Sequence, residues 1–482
     1  MDPLLRSAVG GLARGDTQTD ALAALGCAEP VRAGQLLLAA CAHPDLATRR
    51  EDWLPELLLS ARPGYGAECL AELANRHRSA LRRPLDLAAL PALPRLLGSS
   101  DFLARLLLRH PNWCDELAGA LPAAPETTAI EPDWTPIRIA KYKGLLRIAA
   151  RDLCGRPFEQ SLAELSGLAD RCLEASLARA AHEAGVEPPA LFALGKLGGS
   201  ELNFSSDVDL LFIHESPPDG SEPPELARMV ELIRCFKKHL EVPSEDGFGY
   251  RIDLDLRPEG RTGVIVNSVD AALSYYESFG AEWERQMLIR LRFVAGHRPA
   301  AKAFERGLRP FVWRRSVGTD AILGVRNMKR RIEDERLEAG RDLEADLKEG
   351  PGGIRDVEFL VQAFQLLFGG RERGLRTGNV LAALGELERL GLLDGSVTAE
   401  LRDAYLWLRR AEHAVQLVEE RQTQMFPRDA AGQLGLARRL GYPALEAAHA
   451  RDALLDDWTR VRARVRTHFE NLVLVARDAD VT

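Results

Sequence analysis

Apolar positions recur at helical spacing through most of the 482 residues and at strand spacing in one short interval. From residue 1 to about 185, Leu36-Leu37-Leu38-Ala39, Trp53-Leu54 with Leu57-Leu58, and Phe102-Leu103 with Leu106-Leu107 each mark one helical face. Breaks at Ala61-Arg62-Pro63-Gly64 and His110-Pro111 separate them. These leucine stripes read as core packing, and His110-Pro111-Asn112-Trp113 as a helix-entry turn. The Pro-, Thr- and Glu-rich run 121–132 reads as a linker, and 137–151 and 162–184 as two more long amphipathic helices. From Pro188 to about Val266 the period shortens. Apolar runs at 191–194 and 208–213 are bounded by turn residues, as buried strands are. Pro217-Pro218-Asp219-Gly220 closes the second, 226–242 returns as a helix, and 247–258 alternates as a third strand. After Ser268 the pattern is helical to the end, broken at Gly350-Pro351-Gly352-Gly353, with 401–424 and 445–474 suited to a long bundle. The expected fold is therefore α+β and predominantly helical. It has a helical region over 1–125, a small mixed sheet with its leading helices over 126–270, and a helical bundle over 271–482.

Composition narrows the class. Hydrophobic residues at 46% and charged residues at 28% give an ordinary globular balance, not a disordered one. A net charge of −8 argues against a nucleic-acid sleeve, which would carry a basic stripe. The cysteines at 27, 41, 69, 114, 154, 172 and 235 form no Cys-x-x-Cys, so neither a zinc site nor a disulfide framework is expected. They read as small buried hydrophobes in a reducing compartment. With no signal peptide and no apolar run near the ~18 residues of a membrane span, a cytoplasmic protein is expected, with no membrane partner.

Candidate chemistry is concentrated in Ala193-Leu194-Gly195-Lys196-Leu197-Gly198-Gly199-Ser200-Glu201-Leu202-Asn203-Phe204-Ser205-Ser206-Asp207-Val208-Asp209-Leu210-Leu211-Phe212. It reads as strand, glycine-rich turn and second strand. Alternation puts Asp207 and Asp209 on one strand face and Val208 and Leu210 on the other. At a rise of about 3.3 Å per residue the two aspartates stand roughly 7 Å apart along the backbone, so their carboxylates can converge on one divalent cation. Gly198 and Gly199 let the backbone approach a phosphate with no Cβ in the way. Phosphoryl and nucleotidyl transfer need that combination of amides for phosphate and metal for developing charge. A Gly-Gly turn, seven intervening residues and Asp-Val-Asp inside an apolar strand resemble the nucleotidyltransferase superfamily.

The string over 195–210 closely resembles the bifunctional glutamine synthetase adenylyltransferase family, whose members add AMP to a tyrosine of glutamine synthetase and remove it. That family carries two catalytic halves, and Glu-Leu-Asn-Phe-Ser-Ser-Asp is similar to the N-terminal, adenylyl-removing half. No second Gly-Lys-Leu-Gly-Gly string occurs, so one catalytic unit is expected. The resemblance implies a small nucleotidyltransferase-type sheet flanked by helices, with Mg²⁺ or Mn²⁺ on Asp207, Asp209 and a third carboxylate. Ile252-Asp253-Leu254-Asp255-Leu256-Arg257-Pro258 departs from the family's Val-Asp-x-Arg-Leu-Arg-Pro at Ile252 and Asp255. Asp253 and Asp255 would share a strand face; Asp253 keeps the family position and is the expected ligand, with Asp255 at the rim as the alternative. Arg257 and Arg261 flank a turn and either grip phosphate or cover the surface. Ser200 and Ser206 offer hydroxyls to phosphate, and Lys196 either points at phosphate or only covers the turn.

Glu282-Trp283-Glu284-Arg285, Arg290-Leu291-Arg292 and Arg326-Asn327-Met328-Lys329 also resemble family strings, read either as phosphate contacts or as helix-surface ion pairs. Gly352-Gly353-Ile354-Arg355-Asp356-Val357-Glu358-Phe359 reproduces another whole. Its glycine pair opening a helix is a ready anion site, with Gly353, Arg355 and Glu358 facing phosphate or nucleotide. The histidines are not clustered, and His214 reads as a strand-end residue. The implied reaction is phosphorolysis of tyrosyl-AMP, with inorganic phosphate in and ADP out. ATP-dependent adenylylation and an inactive regulatory module are the alternatives. The implied partners are adenylylated glutamine synthetase and a PII-type signalling protein.

Overall fold

In the computed structural model the described residues are 2–118, 126–217, 221, 223–245, 247–315, 320–442 and 446–479. The sheet forms around two short apolar runs. Strand β1 (Ala190–Ala193) pairs antiparallel with β2 (Val208–His214), Ala193 opposite Leu210. Along the far edge of β2 lie β3 (Ile252–Asp253) and then β4 (Asn267–Ser268), both parallel to it. Strand β5 (Arg292–Ala295) closes the other side, antiparallel to β1.

Successive strand residues enter two different cores. Leu191, Ala193, Val208, Leu210 and Phe212 pack into the core built by the helices that precede the sheet together with the helix between β2 and β3. Phe192, Leu194, Leu211 and Ile213 pack into the core built by the helices that follow it. With both faces covered, β1 and β2 read as continuous apolar runs, and only the polar start of β2 shows its period of two. On the first face lie α1 (Trp134–Leu153), α2 (Phe158–Ala184) and α3 (Leu226–Glu241). On the second lie α4 (Arg298–Val312), α5 (Ile354–Phe368) and α6 (Gly395–Gln416). Farther out on the first side, helices Pro3–Arg14, Pro30–Ala42 and Pro63–Leu81 each open on a proline, whose missing N–H costs nothing in a first turn.

The structure departs from the sequence pattern in identifiable places. The alternation over 247–258 yields only the two residues of β3. Asp253 Oδ1 accepts from the Asp255 amide at 2.7 Å, and Arg257 donates to the carbonyls of Leu254, Arg261 and Gly263, so local side-chain bonds fold the segment into turns. Asp253 and Asp255 therefore do not share a strand face. The segment after Ser268 is not wholly helical: β5 belongs to the sheet and lies beyond residue 270. Helix α6 ends at Gln416, short of the expected 424. Of the expected linker, 126–132 is irregular; 119–125 and the turn residues 218–220 lie outside the described residues. All seven cysteines are free, but Cys154 is exposed and Cys27 and Cys235 are half-buried, so they are not uniformly core residues. Among the described residues no helix is long and apolar enough to cross a membrane.

Candidate active site

A cleft of about 410 Å³ opens where β2 begins, on the side facing α5 and α6. Asp209 is the second residue of β2 and shares the parity of Leu211 and Ile213, which directs it to this side. The parallel register sets Asp253 directly opposite Asp209, and Asp207 precedes the strand. All three aspartates line the cleft. Burial, then the charges of Asp253 and Asp207, raise the Asp209 carboxyl to about 6, with Lys348 and Lys196 opposing. Asp207 accepts from Arg251 Nε at 2.5 Å. Gly195 presses against the pair. Its φ is +53°, and a Cβ there would lie 2.1 Å from Asp209 Oδ2, so both conformation and space demand glycine.

The other expected site residues divide into two groups. Lys196, Ser206, Arg355 and Glu358 line the cleft. Lys196 pairs with Glu412 at 2.6 Å, and burial lowers its ammonium to about 8 against the pull of that carboxylate. Burial pushes the Glu358 carboxyl up, but Arg290, Arg355 and Lys348 outweigh it and hold it at about 2. Arg355 pairs with Glu349 at 3.1 Å, and the Ser206 hydroxyl accepts from the Asn203 amide at 3.3 Å.

Gly198, Gly199, Ser200, Arg257, Gly353 and Asp255 do not line the cleft. Gly195–Gly198 forms a single helical turn, and the amides of Gly198, Gly199 and Ser200 donate to Leu194, Gly195 and Leu197. A Cβ on Gly198 would meet the Arg290 carbonyl at 1.9 Å, and one on Gly199 the Gly378 carbonyl at 2.7 Å. These two glycines let neighbouring backbone pack closely. Gly353 caps α5, but the Ile354 and Arg355 amides already donate to Leu347 and Lys348, so that helix start is not a free anion nest. Asp255 pairs with the exposed Arg261 at 2.7 Å.

Sequence reasoning missed Lys348 and Glu412 as lining residues, whereas Trp283, Arg290 and Met328, from the strings read as phosphate contacts or ion pairs, do line the cleft. Lys348 forms no side-chain ion pair among the described residues, yet lies near enough to Asp209, Glu358 and Glu412 to favour their ionised forms. Its one sequence signal is its position just ahead of Gly350-Pro351-Gly352-Gly353. The middle of the long motif turns out to be an anchor. The Asn203 side-chain Nδ2 donates to Glu412 at 2.5 Å, Arg409 donates to Asn203 Oδ1 at 2.9 Å and to the Glu201 carbonyl, and the Tyr405 hydroxyl donates to the Glu201 carboxylate at 3.2 Å. Arg290 links Glu201 at 3.6 Å to Glu358 at 3.1 Å. A buried ionic lattice thus fastens 201–203 to α5 and α6.

Three carboxylates around one end of a cleft are hard oxygen donors of the kind Mg²⁺ or Mn²⁺ takes. Among the described residues, only Glu183, Cys235 and His239 bring three ligand atoms within 4.8 Å of one another. The aspartates stand wider, and Asp207 engages Arg251 through Oδ1, which leaves Oδ2 for a cation.

A carboxylate pair at the start of a buried strand, a third from a parallel neighbour and a glycine turn against them define a nucleotidyltransferase-type domain enclosed by helices. Residues 90–307 match the family model described as glutamate-ammonia ligase adenylyltransferase, and residues 326–473 match that of GlnD PII-uridylyltransferase. The chain is 37% identical over 425 residues to the bifunctional glutamine synthetase adenylyltransferase/adenylyl-removing enzyme of Stenotrophomonas maltophilia R551-3, covering 84% of this chain and 44% of that protein. It is 35% identical over 462 residues to the protein of the same description in Pseudomonas aeruginosa PAO1, covering 87% and 46%. The corresponding figures for Thioalkalivibrio sulfidiphilus are 34% over 423 residues, 79% and 42%. Over most of its own length the chain is similar to the bifunctional glutamine synthetase adenylyltransferase/adenylyl-removing enzymes, and it spans less than half the length of these relatives.

Proposed function

We propose that this cleft removes AMP from the adenylylated tyrosine of glutamine synthetase by phosphorolysis. The observation that carries the reading is the make-up of the lining: three aspartates share the cleft with Lys196, Lys348 and Arg355, and among the described residues no histidine lines it. Phosphate is already an anionic nucleophile and tyrosine, with a pKa of about 10, a moderately acidic leaving group, so no strong general base is needed. Lys348 and Arg355 receive the incoming phosphate. One of its oxygens attacks the phosphorus of tyrosyl-AMP, the bond from phosphorus to the phenolic oxygen breaks, the phenolate takes a proton from water, and ADP leaves. Asp207, Asp209 and Asp253 would hold Mg²⁺ or Mn²⁺, which when bound supplies positive charge to the phosphoryl oxygens. Trp283, Met287 and Phe359 also line the cleft and offer apolar faces to an adenine or tyrosine ring.

The test is one incubation of adenylylated glutamine synthetase, this chain, Mg²⁺ and phosphate, with the nucleotides separated afterwards. ADP that depends on added phosphate is expected. AMP released without phosphate would mean hydrolysis and overturn the mechanism. With ATP and unmodified glutamine synthetase little labelling is expected; rapid labelling would assign the cleft to the adenylylating direction. The match of 326–473 to a PII-uridylyltransferase model supports a PII-type protein as the regulator of this chain.

A further inference from the structure

A second cluster of ligand-type side chains lies on α2 and α3, on the side of the molecule that carries the first core. Cys235 and His239 stand four apart on α3 and so share a face, and Glu183 in the last turn of α2 meets them. One ligand atom from each of the three lies within 4.8 Å of the other two. The cluster is held in place by Trp134, the first residue of α1. Its indole stacks on the His239 ring, centroids 4.4 Å apart and planes at 8°, and its Nε1–H donates to Glu183 Oε1 at 3.0 Å. Arg179 donates to the same oxygen at 2.7 Å. Glu183 Oε2 is left to accept the Cys235 thiol at 3.1 Å, so a proton bridges the two groups.

We propose that Glu183, Cys235 and His239 form a binding site for a divalent cation of the zinc class. Sulfur, imidazole nitrogen and carboxylate oxygen are the donor set of such cations, and three protein ligands leave a fourth tetrahedral position for water. On binding, the bridging proton leaves Cys235 Sγ for solvent. The thiolate and the Glu183 carboxylate then balance the two charges of the metal. Arg179, Lys238 and Arg138 bring positive charge to the cluster and Glu231 negative charge. Arg179 is itself engaged by Glu183 Oε1 and lies 3.7 Å from Asp133. Trp134 acts as the outer support that fixes both the imidazole and the carboxylate.

The cation would tie α2 to the face of α3 that carries Cys235 and His239. From the same helix Lys237 donates to the Ile252 carbonyl and Glu241 accepts the Ile252 amide at 3.0 Å, so α3 also holds β3, the strand that carries Asp253. The spacing Cys-x-x-x-His with a glutamate 52 residues upstream lies outside any Cys-x-x-Cys pattern, which is why the cysteine spacing gave no sign of it.

Cobalt(II) titration of the metal-stripped full chain tests the site, because tetrahedral cobalt absorbs in the visible and a cobalt–thiolate bond adds a near-ultraviolet band. One equivalent is expected to give both signals, and zinc to bleach them. Cys235→Ser should lose the thiolate band, His239→Gln should bind at least tenfold more weakly, and Asp209→Asn should behave as the parent. Melting of each metal-free variant beside the parent checks that the fold survives, and Glu183→Gln, which keeps shape and hydrogen bonding, serves as a second weakening substitution. No thiolate band in the parent overturns the proposal. So does a band that persists in Cys235→Ser, since Cys154 and Cys27 also reach solvent, or unchanged affinity in both His239→Gln and Glu183→Gln.

Discussion

Asp209 is buried beside two like charges, and that conflict has a measurable sign. Its ordinary value is 3.8 and its value in the folded chain about 6, so the metal-free native state holds the proton more tightly than the unfolded state. The stability tied to that proton is present below about pH 4, is lost as pH rises towards 6, and leaves the ionised group destabilising at pH 7.5. In EDTA at pH 7.5, Asp209→Asn should therefore melt a few degrees above the parent while losing turnover. At pH 4 the gap should close. A lower melting temperature for the variant at pH 7.5 would show that favourable partners hold the carboxylate. Mg²⁺ should raise the melting temperature of the parent and not that of the variant.

Asp253 and Asp255 make a sharper comparison at the same scale. Asp253 lies opposite Asp209 in the register, whereas Asp255 pairs with an exposed arginine away from the cleft. Asp253→Asn should abolish phosphate-dependent ADP formation. Asp255→Asn should lower it less than tenfold, under about 1.4 kcal/mol of transition-state stabilisation. Kinetics with the opposite ranking would make Asp255 the ligand. The parity of Asp207 and Asp209 was legible because a buried strand alternates strictly. Lys348 was not, because a lone lysine before a glycine-rich turn has no periodicity to reveal which way it faces.

At the scale of elements, the long motif does two jobs that its sequence does not separate. Gly195, Lys196, Ser206, Asp207 and Asp209 face the cleft, while Glu201 and Asn203 reach away into the lattice with Arg409 and Glu412. Glu201, Asn203 and Arg409 are buried among charges, so the loss of one member leaves the others unmatched in a low-dielectric interior. Arg409→Ala should cost about 3–5 kcal/mol in denaturant midpoint measurements at constant slope. Arg409→Lys should recover little, since an ammonium cannot reproduce bonds to Tyr405, Asn203 and the Glu201 carbonyl together. A loss below about 1 kcal/mol would mean that the lattice relaxes or hydrates when opened. Such cross-chain partners are invisible in a single sequence, where Arg409 looks like one more surface arginine on an amphipathic helix. The shortness of β3 was hidden for the opposite reason: Asp255 and Arg257 suit an alternating strand, but their local hydrogen bonds win.

For the whole molecule, the decisive feature is that β1 and β2 are covered on both faces. Val208, Leu210 and Phe212 need α3 and the helices before the sheet, Leu211 and Ile213 need the helices after the sheet, and β1 needs β5 at its outer edge. The cleft is composite in the same way, with aspartates from β2, β3 and the turn ahead of β2 and Lys348, Arg355, Glu358 and Glu412 from far along the chain. The sequence pattern suggests a catalytic unit over 126–270, and the structure argues that such a piece cannot stand alone. It would expose the apolar face of β1 and β2, strip β1 of an edge partner, and leave Lys196, Glu201 and Asn203 without Glu412, Arg290 and Arg409. A 126–270 fragment should therefore aggregate or unfold without a cooperative transition, and should form no ADP at any phosphate concentration. The full chain under the same conditions should unfold cooperatively and turn over. A soluble 126–270 fragment with a sharp melting transition and phosphate-dependent activity would show that the flanking helices are regulatory additions and not walls of the site.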